Sequence, residues 1–181
     1  PTIAVINNID FEHIECYNDI DDLKDTFLQF ANSVPFYGTV CACKDSNNVA
    51  SILSKIDKPV ITYGIESQNL DIKAENLHQE NGAISFDVKV KDQIFSVNLS
   101  VPGKYNAYNA LAALSVCETM GIDLESACKA LSNFSGVKRR FDIKANKDIM
   151  IIDDYAHHPV EVKYVIETVK SNWNKNLNVI F

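Results

Sequence analysis

The stretch Ile3-Ala4-Val5-Ile6 is a continuous apolar run, which is typical of a parallel β-strand covered on both faces. Residues 19–34 then carry apolar side chains at helical spacing, and aspartates at their start favour the positive end of a helix dipole. Two more short buried strands are predicted over residues 40–42 and 60–63, with a helix over residues 49–53 between them. This alternation of strands and helices predicts an α/β fold with a doubly wound, mostly parallel sheet.

A different pattern occupies the middle of the chain, where apolar and polar residues alternate over residues 84–90 and again over residues 95–101. Such alternation predicts an antiparallel hairpin with one solvated face, forming a small sheet attached to the main one. Pro102-Gly103 ends the pattern, and helices are predicted over residues 106–120 and 124–133.

The last part of the chain is predicted to contain a buried strand over residues 149–152, a helix over residues 160–166 with Pro159 in its first turn, and a strand over residues 177–181. We expect one domain over residues 1–143 and the first βαβ unit of a second, Rossmann-like domain over residues 144–181. Because one such unit cannot cover both faces of its sheet, we expect the chain to be a piece of a longer protein.

Composition and charge narrow the class of partner. The chain has 17 Lys and Arg against 24 Asp and Glu, and its largest basic cluster is Lys138-Arg139-Arg140, so we expect no nucleic-acid partner. It has no apolar run long enough to cross a bilayer, so we expect no membrane partner. Its five cysteines are odd in number and form no C-x-x-C pair, which favours reduced cysteines in a cytoplasmic protein.

The segment Asp153-Asp154-Tyr155-Ala156-His157-His158-Pro159, called the 153–159 segment below, is the clearest candidate site. It gathers two carboxylates, a phenol and two imidazoles between a predicted strand and a predicted helix. Ligands of open α/β sheets bind at the carboxyl ends of strands, so we interpret this segment as part of a site.

A second group of polar side chains, at residues 7–15, follows the first strand. Its carboxylates and the imidazole of His13 can hold a divalent cation such as Mg²⁺ beside a phosphate. The alternative is an acidic surface loop in which His13 only caps or packs.

Two further groups have the chemistry of a nucleotide site. Asn106 and Asn109 share one face of a predicted helix start, and a carboxamide can pair with an adenine edge, although Asn106 can equally be a helix cap. A guanidinium in residues 136–142 can brace a phosphate, although a basic triplet is more often a solvated face.

Taken together, these groups resemble, in order and spacing, four motifs of the Mur ligases of peptidoglycan synthesis. Residues 8–15 resemble N-I-x-x-D-H-x-D, and residues 101–113 resemble V-P-G-x-H-N-x-x-N-A-x-A-A. Residues 136–141 resemble G-x-x-R-R-F, and residues 153–161 resemble D-D-Y-x-H-H-P-x-E.

Two features resemble the alanine-adding member of the family in particular. They are Val34-Pro35-Phe36-Tyr37-Gly38, which is similar to L-P-F-Y-G, and Tyr155. The chain departs from the family pattern at Glu12 and Glu15, where Asp is usual, and at Tyr105, where His is usual.

The resemblance implies an enzyme, in which ATP phosphorylates the carboxylate of UDP-N-acetylmuramate and the amine of L-alanine attacks the acyl phosphate to give an amide, ADP and phosphate. It implies ATP and Mg²⁺ as cofactors. It also implies that His13 is at the metal, Asn106 and Asn109 are at adenine, and Arg140 is at the phosphates or ribose. Asp154 would face the nucleotide, and Tyr155 and His157 would line the alanine and acyl-phosphate side as catalytic residues.

One family element is missing from the chain, since none of its six glycines belongs to a G-x-x-x-x-G-K-S/T phosphate loop. We therefore expect the phosphate loop and both flanking domains to lie outside this piece, which should be inactive alone. The alternatives are the muropeptide-recycling ligase that adds a tripeptide, a folylpolyglutamate synthase, or a non-catalytic α/β module that binds nucleotide.

Overall fold

The computed structural model describes residues 1–11 and 16–181. Its elements, in chain order, are β1 (Ile3–Ile6), α1 (Ile20–Asn32), β2 (Thr39–Cys43), α2 (Asn47–Ile52) followed by a 3₁₀ turn (Leu53–Lys55), β3 (Val60–Gly64), β4 (Ile72–Glu80), β5 (Ala83–Val90), β6 (Gln93–Leu99), α3 (Lys104–Thr119), α4 (Leu124–Leu131), β7 (Asp142–Asn146), β8 (Met150–Asp153) and α5 (Pro159–Asn172).

Six strands form one mixed sheet in the order β1-β2-β3-β4-β5-β6. The first four run parallel to one another, and β4, β5 and β6 are antiparallel neighbours. β7 and β8 form a separate antiparallel pair. The predicted α/β class with a mostly parallel sheet is therefore confirmed, and the predicted hairpin forms as β5 and β6.

Helices cover both faces of the parallel strands. On one face, Leu23 and Ala31 of α1 and Val49 of α2 pack in a buried cluster with side chains of β1 and β2. On the other face, Leu111 and Leu114 of α3 pack with side chains of β2 to β6. This two-sided burial explains the apolar run of β2. The prediction that β1 is covered on both faces is wrong, because β1 lies at the edge of the sheet and Val5 is 38% exposed.

β4, which joins the parallel strands to the hairpin, was not predicted from the sequence. Only two of its nine residues, Ile72 and Ala74, are buried. Asn76 has a positive φ of 55°, and the pairing register with β5 shifts between Glu75 and His78. This irregularity removes the two-residue period by which a strand is recognised in a sequence.

Two predictions for the end of the chain are wrong. The strand expected over residues 149–152 forms as β8, but it is not buried, and Ile151 is 54% exposed. The reason is that β8 has a single neighbour, β7, which the sequence analysis also missed. Residues 177–181 form no strand, because no described strand lies beside them to complete a ladder, and Ile180 is 98% exposed.

The end of α5 packs against the turn between β4 and β5. The N–H of Gly82 donates to Oδ1 of Asn172 at 3.2 Å, and a Cβ added at Gly82 would lie 3.2 Å from the Trp173 ring. Trp173 in turn stacks on Phe141 with ring centroids 5.9 Å apart. These contacts hold α5 against the six-stranded sheet.

All five cysteines are free thiols in the structure. Cys41, Cys43 and Cys128 are buried, whereas Cys16 is exposed, so not every cysteine belongs to the core. Within residues 1–11 and 16–181, no helix combines the length and the apolar character that crossing a bilayer requires.

Candidate functional site

A cavity of about 710 Å³ opens between the first half of α3, the turn before β7 and the start of α5. Its walls are apolar where β6, α3 and α4 contribute side chains such as Leu99, Ala110 and Ala113. Its polar lining consists of Asn7, Tyr105, Asn106, Asn109, Arg140 and Glu161. The structure thus brings together three predicted site residues, Asn106, Asn109 and Arg140, from two separate motifs.

Gly103 lets α3 begin at the edge of this cavity. Its φ of +99° is in the region that favours glycine, and a Cβ added there would lie 3.0 Å from Oγ1 of Thr168 in α5. Glycine therefore allows both the turn into α3 and the close approach of α5.

The two asparagines of α3 differ in their contacts. The side-chain amide of Asn106 donates to the carbonyl of Pro102 at 2.7 Å, so this amide closes the turn that starts the helix. Asn106 is not the helix cap, because that position belongs to Gly103. Asn109 is exposed at the cavity, and no hydrogen bond engages its side chain within the described part of the chain. Asn109 is therefore the asparagine whose amide is available to a ligand.

Tyr105 is the second residue of α3, and its phenol lies close enough to the 153–159 segment for the charge of Asp154 to act on it. Burial raises the pKa of its phenol to about 12, the charge of Asp154 adds to this shift, and a hydrogen bond with Asn106 and the charge of Arg140 oppose it. The phenol is therefore neutral at physiological pH and can act as a hydrogen-bond donor at the cavity wall.

A tight turn directs Arg140 into the cavity. The N–H of Arg140 donates to the carbonyl of Val137 at 3.1 Å, and Gly136, Arg139 and Phe141 all have positive φ. Nη1 of Arg140 lies 3.3 Å from Oε1 of Glu161. The basic triplet is thus more than a solvated face, since one of its cations lines the cavity.

The carboxylate of Asp154 accepts hydrogen bonds from backbone N–H groups and does not line the cavity. Its Oδ2 accepts the N–H of Phe141 at 2.8 Å, and its Oδ1 accepts the N–H of Ala156 at 2.7 Å. The N–H of Tyr155 also donates to the carbonyl of Arg139 at 2.8 Å. Together these bonds tie the end of β8 to the turn that carries Arg140.

Tyr155 and His157 are not among the residues that line the cavity, and both are exposed. Their rings are 5.2 Å apart, and the guanidinium of Arg139 lies 4.6 Å from the centroid of the Tyr155 ring. Nδ1 of His157 is 3.0 Å from the carbonyl oxygen of Tyr155, which requires a proton on Nδ1. A neutral His157 would therefore present Nε2 as an acceptor.

Glu161 lines the cavity but was not predicted as a site residue from the sequence. It is the third residue of α5, and its Oε2 accepts the N–H of His157 at 3.3 Å and of His158 at 3.4 Å. Partial burial raises the pKa of Glu161, but these hydrogen bonds and the one from Arg140 outweigh it, so the net pKa is below its ordinary value. Its position two residues after Pro159 was the available signal, since a glutamate at the third helical position is typical of a capping box.

A second unpredicted group centres on Asp45, in the loop after β2. Its carboxylate accepts the N–H groups of Ile65 at 2.6 Å, Glu66 at 2.9 Å and Ser67 at 2.8 Å, and the hydroxyl of Tyr108 at 2.8 Å. Burial raises the pKa of Asp45, but the bonds from Ser67, Glu66 and Ile65 outweigh it and lower that pKa to about 2. Asp45 therefore joins the loops after β2 and β3 to the helix that carries Asn109.

The predicted metal ligand His13 lies outside the described residues. Within the part of the chain that the structure describes, no three His, Cys, Asp or Glu side chains are grouped so that they could hold a metal ion. The prediction of a metal at His13 therefore stays a prediction.

Comparison with known proteins shows which family the chain resembles. The model of the Mur ligase middle domain matches residues 1–117, and the model of the Mur ligase glutamate ligase domain matches residues 139–181.

Individual relatives give the same result. The chain is 46% identical over 170 residues to a UDP-N-acetylmuramate–L-alanine ligase of Sulfurihydrogenibium, covering 94% of this chain and 37% of the relative. It is 39% identical to the ligase of the same name in Geotalea uraniireducens, covering all of this chain and 40% of the relative. The chain therefore spans about two fifths of the length of these relatives.

A solved structure extends the similarity to three dimensions. The UDP-N-acetylmuramate–alanine ligase of Thermotoga maritima is 26% identical and superposes with a TM-score of 0.77, covering 94% of this chain and 38% of that one. Because the middle-domain model matches more than half of this chain, the chain belongs to the Mur ligase family.

Proposed function

We propose that this chain is the nucleotide-binding part of an ATP-dependent ligase of peptidoglycan synthesis, which joins the carboxylate of UDP-N-acetylmuramate to L-alanine. The observation that carries the proposal is the shared cavity of Asn109 and Arg140, which belong to different motifs of the sequence. The names of the relatives at 39–46% identity support the choice of substrates.

The cavity has the chemistry of a nucleotide site. Ala110 and Ala113 leave an apolar wall beside the amide of Asn109, which suits a flat base with polar edges. Arg140 supplies a permanent positive charge with a planar set of donors that matches phosphate oxygens. Asn109 would orient the base, and Arg140 would hold the phosphates or the ribose.

The remaining roles are those that the family motif implies. ATP, when bound, supplies the phosphoryl group that converts the muramyl carboxylate to an acyl phosphate, which the amine of L-alanine attacks. Tyr155 and His157 would line the side where the amine approaches, with Nε2 of a neutral His157 as a hydrogen-bond acceptor for that amine. Asp154 would act through Arg140, because it fixes the turn that carries this residue.

The domain organisation, metal and compartment belong to the same proposal. We assign residues 1–143 to the ATP-binding domain and residues 144–181 to the start of a second domain, which the two separate family matches support. Mg²⁺ is assigned to His13 by the motif alone, so no step is routed through it. The five free thiols favour the reducing cytoplasm.

The test is an assay of the full-length gene product that contains this chain. Purified protein is incubated with ATP, UDP-N-acetylmuramate and either L-alanine or the tripeptide of muropeptide recycling, and phosphate and the amide product are measured. We expect phosphate release that depends on L-alanine, with the matching product in the mass spectrum. Faster reaction with the tripeptide would assign the chain to the recycling ligase, and phosphate release that needs no amine would contradict the proposal.

A further inference from the structure

Glu161 is the only carboxylate among the described residues that line the 710 Å³ cavity. Its two oxygens have different partners. Oε1 lies 3.3 Å from Nη1 of Arg140, and Oε2 accepts the N–H groups of His157 and His158. One side chain therefore connects the cation of the cavity to the backbone of the 153–159 segment.

We infer that Glu161 is a positioning residue, which holds the guanidinium of Arg140 at the cavity for an anionic ligand while it fixes the backbone beside His157. The inference rests on the proposed function, because the anion concerned is the phosphate chain of the nucleotide. It adds a residue that acts on the nucleotide through Arg140 and does not touch it.

The ion pair leaves Arg140 able to bind an anion. A guanidinium has five N–H donors, and Glu161 uses a donor on Nη1 only. The other donors remain available to phosphate oxygens without breaking the pair. An arginine without this anchor would be free to change rotamer, and fixing it upon binding would cost free energy. Loss of Glu161 should therefore weaken nucleotide binding, although it removes a negative charge.

The competing explanation is that Glu161 only stabilises the start of α5. Glu161→Gln separates the two roles, because a glutamine oxygen can still accept the N–H groups of His157 and His158, whereas it cannot form an ion pair with Arg140. Glu167→Gln is the matched control. Glu167 lies on the same helix, and its carboxylate pairs with Lys163 at 3.8 Å on the exposed surface.

The experiment compares KM for ATP and kcat in the full-length ligase for the wild type, E161Q, E167Q, R140A and the double variant E161Q/R140A. We expect E161Q to raise KM for ATP about five-fold with kcat changed less than about two-fold, since one immobilised arginine side chain contributes on this scale. E167Q should match the wild type. In the R140A background, E161Q should have no further effect on KM.

Three results would overturn the inference: an unchanged KM in E161Q, a lowered KM, or an equal rise in both backgrounds. Thermal unfolding of every variant shows whether the fold is intact. If E161Q does not fold, Glu161→Asp replaces it, because aspartate keeps a charge at the helix start but is one methylene too short to reach Arg140. A wild type without ligase activity would overturn the proposed function as well, whereas an active wild type with an unaffected E161Q would count against this inference alone.

Discussion

The hydroxyl of Tyr108 lies 2.8 Å from Oδ2 of Asp45, so α3 is bonded directly to the loop that follows β2. The same carboxylate accepts three backbone N–H groups from the loop after β3. Since Asn109 is the next residue of α3, this group of bonds sets where its amide meets the cavity.

Asp45→Asn should destabilise the protein. An asparagine has one acceptor oxygen, so its NH₂ group would face N–H donors that the aspartate now satisfies. We expect the free energy of unfolding to fall by about 2–3 kcal/mol, as for the loss of buried hydrogen bonds to a charged group. Urea denaturation measures this free energy of unfolding, and Asp92→Asn in the exposed β5–β6 turn serves as the control. Equal, small effects of the two variants would contradict this account of Asp45.

The contribution of Asp45 should depend on pH in a defined direction. Its pKa is about 2 in the folded protein, well below the ordinary range of an aspartate, so the folded state favours the ionised form. The stabilisation is therefore complete above pH 4 and is lost as the pH falls toward 2. We expect the difference in unfolding free energy between the wild type and Asp45→Asn to shrink over this range. A difference that stays constant from pH 5 to pH 2 would show that the charge of Asp45 is not involved.

Gly103→Ala should be more damaging than Gly121→Ala, although both glycines have positive φ. A Cβ at residue 103 would lie 3.0 Å from Oγ1 of Thr168 and would also collide with the Tyr105 ring, whereas a Cβ at residue 121 would meet nothing within 4 Å. We expect Gly121→Ala to cost about 1 kcal/mol for backbone strain and Gly103→Ala about 2 kcal/mol or more. Thermal unfolding of the two variants tests this, and equal costs would contradict the close packing of α5 on α3.

The two asparagines of α3 should differ in what they affect. Asn109→Ala removes an amide that faces the cavity, so KM for ATP in the full-length ligase should rise about ten-fold, the value of one good hydrogen bond, with unchanged thermal stability. Asn106→Ala removes the bond to the Pro102 carbonyl and should lower stability by about 1 kcal/mol. An Asn109→Ala variant with normal KM would show that the base does not contact this amide.

Features of the fold that depend on residues close together in the sequence could be predicted, whereas features that depend on residues far apart in the sequence could not. The position of β1 and the start of α1 could be predicted, because Ile3–Ile6 is apolar throughout and Asp19 caps its helix by accepting hydrogen bonds from the N–H groups of Asp21 and Asp22. β4 could not be predicted, because Asn76 interrupts its alternation of apolar and polar residues and because the strand is stabilised by pairing with neighbouring strands.

The same distinction holds for the site. Asn109 and Arg140 could be proposed from the sequence because their motifs are local and distinctive. Asp45 and Glu161 could not be assigned roles, because those roles depend on partners far along the chain, such as Tyr108 for the first and Arg140 for the second. A carboxylate after a strand or at a helix start has an ordinary local explanation in each case.

The central claim is that the cavity shared by Asn109 and Arg140 binds the nucleotide, and a crystal structure of the full-length protein with a non-hydrolysable ATP analogue tests it most directly. We expect the adenine within hydrogen-bonding distance of the Asn109 amide and a phosphate or ribose oxygen at the Arg140 guanidinium. A nucleotide bound elsewhere, for example in the cavity of about 620 Å³ beside Lys73 and Lys89, with the Asn109 cavity left to solvent, would contradict the account.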